Sequence, residues 1–206
     1  MRDLNENDKS KFLQNGNLTK PFLQDDFVLS QVMRDFDAKV KKGIENTLLE
    51  SLFNWINYKV KFADEKFREK NRFKRTAQEI WESGLTTGCT DYAILFATFA
   101  RQLGIPATVF HAAEEGWLNK LLNHEKCDIH YGHSFCECFF DGKWILVDPT
   151  YRRIEKCYNP EKLELSYNVG PGNVYIPYFR GLDLCKRQST QEHNHLMDKI
   201  CSDLFS

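Results

Sequence analysis

The chain has 206 residues, 42% of them hydrophobic and 14% aromatic, which supplies one sizeable core and favours a single domain over two. A formal net charge of −1 leaves no overall field to recruit nucleic acid or an anionic membrane. No window reaches the roughly 18 apolar residues of a membrane span and the N-terminal residues hold no apolar export core, so a soluble, cytoplasmic protein is expected.

Residues 1–26 are rich in Asn, Asp, Lys and Gln, with apolar residues only at scattered points such as Leu13, Leu18 and Phe22, and read as an irregular arm. The remainder, 27–206, is expected to form one domain. From Gly43 to Val60 the residues Ile44, Leu48, Leu52, Trp55, Ile56 and Val60 recur at helical spacing, which predicts a helix with one stripe on the core. Lys66 to Arg75 interleaves six basic residues with Phe67 and Phe73. That pattern suits single-stranded nucleic acid, but the run is short and the chain neutral, so a solvated face is expected. Thr76 and Glu79 have capping-box spacing and open a short helix that ends by Gly84.

From Gly84 to Thr108 a loop feeds a second helix. Gly88 supplies backbone freedom before Cys89, Thr86 and Thr87 are candidate caps, and Asp91 places a carboxylate in the first turn, where the helix dipole favours it. Tyr92 to Leu103 is apolar on almost every side, the mark of a helix inside a domain, and Gly104 and Pro106 end it. Ala107 to His111 then reads as a strand. Ala112 to Gly132, carrying Trp117, His124, Cys127 and His130, is too long for a hairpin turn and is a candidate lid or active-site wall.

His133 to Phe140 and Lys143 to Val147 form two antiparallel strands around the turn Asp141-Gly142, and Asp148-Pro149 closes the second. Alternation puts His133, Phe135, Glu137 and Phe139 on one face and Ser134, Cys136, Cys138 and Phe140 on the other. Beyond Thr150, Val174 to Phe179 is an expected strand. Ser189 to Glu192 resembles a second capping box, opening a closing helix with Leu196, Ile200 and Leu204 on one stripe.

Seven cysteines, at 89, 127, 136, 138, 157, 185 and 201, are an odd number without disulfide-framework spacing, which points to a reducing compartment. Cys157, Cys185 and Cys201 are expected to be small buried apolar residues. Cys89, near the start of a buried helix, is either another of these or a nucleophile. A nucleophilic thiol needs its anion stabilised. Lowering its pKa from about 8.5 to about 4 takes roughly 6 kcal/mol, and a helix N-terminus gives about 2 at most. An imidazolium must supply the rest, itself oriented by a carboxylate or amide. His133 opens one strand and Asp148 closes its hairpin partner, and a two-residue turn brings those ends together.

The pieces Gly88-Cys89, Leu103 to Ala107, His133 to Glu137, Asp141 to Trp144 and Asp148 to Thr150 occur in the order and compact spacing of the transglutaminase-like superfamily, a branch of the papain-like cysteine enzymes, which this chain resembles. The resemblance is close from Thr76 to Tyr151. It implies an α+β, papain-like fold in which the nucleophile's helix packs on a small antiparallel sheet. It also implies that Cys89 is the nucleophile, His133 the general base and acid, and Asp148 the orienting residue. Phe135 stands where the family usually has Trp. The length leaves no room for the β-sandwich domains of animal transglutaminases, so their calcium dependence is not carried over. No cofactor and no metal are expected.

The implied reaction is acyl transfer on a protein or peptide amide through a thioester, with hydrolysis, as in a protease or deamidase, favoured because water is the default acceptor. Protein-glutamine transamidation is the alternative. Two further readings are a non-catalytic binding module of the same fold and a zinc-stabilised one. The latter draws on His124, Cys127, His130, His133, Cys136 and Cys138, a dense cluster, although alternation turns Cys136 and Cys138 away from His133.

Overall fold

The computed structural model describes residues 10–20, 25–42, 48–123, 125, 132–161, 165–169 and 172–182. After a helical turn at residues 10–12, the helices and strands in chain order start with α1 (Asp25–Lys41) and α2 (Leu48–Lys59). Of the expected stripe, Leu52, Ile56 and Val60 are fully buried and Leu48 and Trp55 pack partly against the same core, while Ile44 lies outside the described residues; Leu49, which the stripe did not include, is fully buried as well. The sequence reading placed no element over 27–42, where apolar residues such as Phe27, Val32, Phe36 and Val40 are interleaved with charges along α1. Among its described side chains Val32 is fully buried and Leu29 packs at the core's edge.

Strand β1 (Lys61–Phe62) leads to α3 (Glu65–Asn71), which is capped by Asp64, whose carboxylate accepts from the Phe67 N–H at 2.8 Å. No α3 residue is buried, as a solvated face requires. Arg75 departs from that expectation. It turns inward, 6% exposed, and donates to the carbonyls of Leu85 at 2.8 Å and Glu79 at 2.6 Å and to the Ser83 hydroxyl. The capping box of Thr76 and Glu79 opens α4 (Ala77–Ser83), and Gly84, at φ 64° where a side chain would be strained, ends it. Strand β2 (Leu85–Thr86) pairs in parallel with β1.

Helix α5 (Cys89–Gln102) is buried without interruption from Thr90 to Arg101. It lies on the larger sheet, formed by β3 (Ala107–Glu114), β4 (Gly132–Phe140), β5 (Lys143–Asp148), β6 (Arg153–Glu155), β7 (Leu165–Val169) and β8 (Gly172–Gly181). The strand order is β6-β5-β4-β3-β8-β7, antiparallel throughout. Strand β3 runs three residues past the expected His111 because β4 and β8 both pair with it as far as Ala113. The segment read as a possible lid begins as the end of β3 and α6 (Glu115–Leu122). Its residues His124, Cys127 and His130 lie outside the described residues, as do Cys185, Cys201 and the expected closing helix.

Alternation divides the sheet into two faces. Ala107, Val109, Cys136, Cys138, Ile145 and Val147 pack with α5, while Phe110, Ala112, Phe135, Leu146, Tyr158 and Tyr175 form a second cluster. On that second face Glu137 is a buried carboxylate held by Tyr158, by Arg180 at 2.8 Å and by Thr108 at 3.1 Å. The described part of the N-terminal arm packs inward: Leu18 joins the core, and its carbonyl accepts from the Ala77 N–H at 2.7 Å. Cys157 is exposed, against the expectation of burial, because the turns after β6 run over the surface. Among the described residues no helix is long and apolar enough to cross a membrane.

Phe96 on α5 is fully buried and Val40 on α1 is 53% exposed. Urea denaturation is expected to show Phe96→Ala losing about 3–5 kcal/mol of stability and Val40→Ala changing by less than about 0.5 kcal/mol.

Candidate active site

Cys89 is the first residue of α5, so its backbone N–H is among those that find no acceptor inside the helix. The residue before it, Gly88, is the N-cap at φ 147°, a conformation that L side chains rarely adopt, and it offers no capping side chain. The expectation that Thr86 or Thr87 caps the helix is therefore corrected. Thr86 Oγ1 instead accepts from the Gly88 N–H at 3.1 Å, and Thr87 donates from its backbone N–H at 2.8 Å and its hydroxyl at 3.0 Å to Asp91 Oδ2. Asp91 is 1% exposed. Burial raises its pKa, opposed by the Thr87 hydrogen bonds and by Arg75, whose guanidinium lies at 3.4 Å. The loop before Cys89 is thus tied down from both sides.

The hairpin supplies the second half. His133 Nε2 lies 2.8 Å from Asp148 Oδ2, and Asp148 is fully buried. Its other oxygen, Oδ1, accepts from the backbone N–H groups of Thr150 at 2.9 Å and Tyr151 at 3.1 Å, which fixes the carboxylate plane. Asn57 on α2 donates to the Pro149 carbonyl at 2.8 Å and pins this turn to the helical layer. The imidazole is walled by aromatic rings: Phe135 at 4.6 Å, Tyr151 at 5.4 Å and Tyr175 at 6.3 Å between centroids. With Nε2 occupied, Nδ1 is the nitrogen left for a thiol.

Cys89, half-buried, interacts with His133 through both charge and a side-chain hydrogen bond. Burial alone pushes the thiol up, but the charge and hydrogen bond of His133, with further hydrogen bonds from Ser134, more than reverse this and bring it down to about 7. Burial likewise pushes His133 down, and the Cys89 thiolate and the Asp148 hydrogen bond bring it up to about 10. The result is a thiolate–imidazolium pair whose protons come off as a coupled system. Cys136 and Cys138, fully buried on the α5 side without an imidazole, are both raised, burial being the main cause.

The structure therefore brings Cys89, His133 and Asp148 to one place. It also brings in three residues that sequence reasoning did not single out. Ser134 Oγ lies 3.7 Å from Cys89 Sγ, 3.1 Å from Thr90 Oγ1 and 2.8 Å from His111 Nδ1. Alternation had already put Ser134 opposite His133. What it could not reveal is that the start of α5 meets the start of β4, so that residues from both faces of the strand reach the sulfur. Among the described residues no group of three or more His, Cys, Asp or Glu is arranged to hold a metal ion.

A family profile described as the transglutaminase-like superfamily matches residues 31–149, which include Cys89, His133 and Asp148. No curated protein matches the chain. A solved structure from Cytophaga hutchinsonii, described as a candidate cysteine protease, is similar in fold, with 21% identity, a TM-score of 0.54 and coverage of 90% of this chain and 50% of that one. The present chain thus spans about half the length of that protein.

The rate of Cys89 alkylation by iodoacetamide, mapped by mass spectrometry across pH, is expected to rise with a midpoint near 7. Cys136 and Cys138 are expected to stay unlabelled in the folded protein. In His133→Ala burial is left unopposed by the imidazole, and the Cys89 midpoint is expected to move up by more than about 1 unit.

Proposed function

This chain belongs to the transglutaminase-like superfamily, and we propose that within it the protein is a cysteine-dependent enzyme that transfers acyl groups from protein or peptide amides. The observation that carries the reading is the single line of contacts from Cys89 through His133 to Asp148, joining a half-buried thiol to a buried carboxylate.

In the proposed mechanism the Cys89 thiolate attacks the amide carbonyl carbon, forming a C–S bond and an oxyanion. The Cys89 backbone N–H, at the helix start, is a donor for that oxyanion. His133 gives its proton to the departing nitrogen as the C–N bond breaks, leaving a thioester. The imidazole then takes a proton from water, whose oxygen attacks the thioester carbonyl and releases the acid and the thiolate. Asp148, through Nε2, keeps Nδ1 aimed at the sulfur in both halves. Hydrolysis is the favoured outcome because water is the acceptor present by default. An amine entering the same thioester stage would give transamidation.

Tyr151, 47% exposed and beside His133, marks a solvent-facing side of the pair, and the proposed substrate approaches there. A proteome incubated with the protein is expected to show, by mass spectrometry, new termini or deamidated side chains that the Cys89→Ala variant does not produce. Crosslinks alone would shift the reading to transamidation, and absence of all three products would overturn it. On any such substrate His133→Ala is expected to lower the rate about 10²–10⁴-fold. The pH profile is expected to be bell-shaped: activity rises as Cys89 ionises near 7 and falls as the imidazolium loses its proton near 10.

A further inference from the structure

The Cys89 sulfur has a polar neighbour that the acyl-transfer reading leaves without a role. Ser134 is 2% exposed, yet its hydroxyl has three polar neighbours: Cys89 Sγ at 3.7 Å, Thr90 Oγ1 at 3.1 Å and His111 Nδ1 at 2.8 Å. His111, 4% exposed, sits directly opposite Ser134 in the β3–β4 register. Its position against β8 is also built. The register between β3 and β8 shifts between His111 and Ala112, from His111 opposite Phe179 to Ala112 opposite Pro177. Tyr178 is therefore the extra residue of a β-bulge, a device that re-aims side chains, and its ring stacks on His111 at 6.1 Å with planes 21° apart. Pro177, which has no N–H to give a ladder, is tolerated at this irregularity.

We propose that the Ser134 hydroxyl is a hydrogen-bond donor to the Cys89 thiolate, and that His111 is the positioning residue that holds it in that role. The proposal rests on Cys89 being the nucleophile. A serine hydroxyl has one proton to give and two lone pairs to accept with. If that proton points at the thiolate, the two remaining contacts must both donate to Ser134: the Thr90 hydroxyl and His111 Nδ1–H. If instead Nδ1 carries no proton, its lone pair at 2.8 Å outcompetes the sulfur at 3.7 Å for the Ser134 proton. The protonation of His111 Nδ1 thus decides whether the nucleophile has its hydroxyl donor.

The thiolate is then held between two imidazoles of different kind. His133 faces it directly and exchanges its proton, whereas His111 acts one hydroxyl away and keeps its Nδ1 proton through the reaction. Among the described residues, ionisable groups facing this assembly include Tyr151, beyond β5, toward the sulfur, and Tyr178 on β8 against the His111 ring. Asp148 acts through His133, and Asp91 on α5 is turned to Thr87 and Arg75.

Two measurements test the proposal. In long-range ¹H–¹⁵N spectra of the ¹⁵N-labelled protein near pH 8, His111 Nδ1 is expected to show the shift of a protonated ring nitrogen. An unprotonated Nδ1 would overturn the proposal, and this reading needs no variant. In Ser134→Ala the midpoint of Cys89 alkylation is expected to rise by about 1 unit, the effect of one hydrogen bond to a charged group, and Ser134→Thr, which keeps the hydroxyl, is expected to restore it. A cavity alone would lower stability without moving that midpoint, so an unchanged midpoint in Ser134→Ala also overturns the proposal. A wild-type midpoint at the ordinary thiol value of about 8.5 would instead defeat the nucleophile assignment on which both readings stand.

Discussion

A helix buried from Thr90 to Arg101 leaves backbone groups unpaired at each end, and the two ends of α5 are treated differently: the C-terminal one is closed within the protein, while the N-terminal one carries no side-chain cap. At the C-terminal end Leu103, Gly104 and Ile105 donate back to the last carbonyls, and Arg101 fills the corner with bonds to the Ala107 carbonyl at 3.0 and 3.1 Å and to Thr19 at 3.0 Å. At the N-terminal end Asp91 folds back on Thr87 under Arg75. Everything at the site follows from this second arrangement. It fixes the residue that starts the helix, and that residue is Cys89.

Four cysteines among the described residues show how little the residue type decides by itself. As thiolates Cys136, Cys138 and Cys89 would all lose hydration on burial, and for each this is the largest influence, pushing the thiol up. Only Cys89 is lowered, because only it faces an imidazole held by a carboxylate. The contribution of the helix dipole, at most about 2 kcal/mol, is secondary to that pairing. Phe135, Tyr151 and Tyr175 stand around His133, whose side chain is 9% exposed, and low exposure of this kind weakens solvent screening of a charge pair.

Features that depend on residues close in sequence were legible: the α4 capping box, the Asp141-Gly142 turn, the apolar sweep of α5, and His133 and Asp148 at neighbouring strand ends. What failed did so for identifiable reasons. Arg75 looks like one more charge in a basic run, and only the folded loop shows that it bonds Glu79, Ser83, Leu85 and Asp91. Thr86 and Thr87 have the right chemistry for caps, but the backbone at Gly88 puts the cap elsewhere. Cys157 carries no periodicity to say whether its loop is covered. On α1 the apolar residues are broken up by charges, so no single stripe stands out in the sequence.

The sequence by itself determined the chemistry available and its local placement: a thiol at a helix start, a histidine and an aspartate across a tight hairpin, and an apolar helix that had to be buried. These are consequences of spacing within a few residues, where backbone geometry leaves few choices. The tertiary structure alone decided which groups share the sulfur. Ser134 and His111 are brought to Cys89 by the β3–β4 register and by a bulge against β8, and these are set by packing between segments separated by 23 to 45 residues. No local pattern encodes such a meeting, because it depends on how whole layers stack.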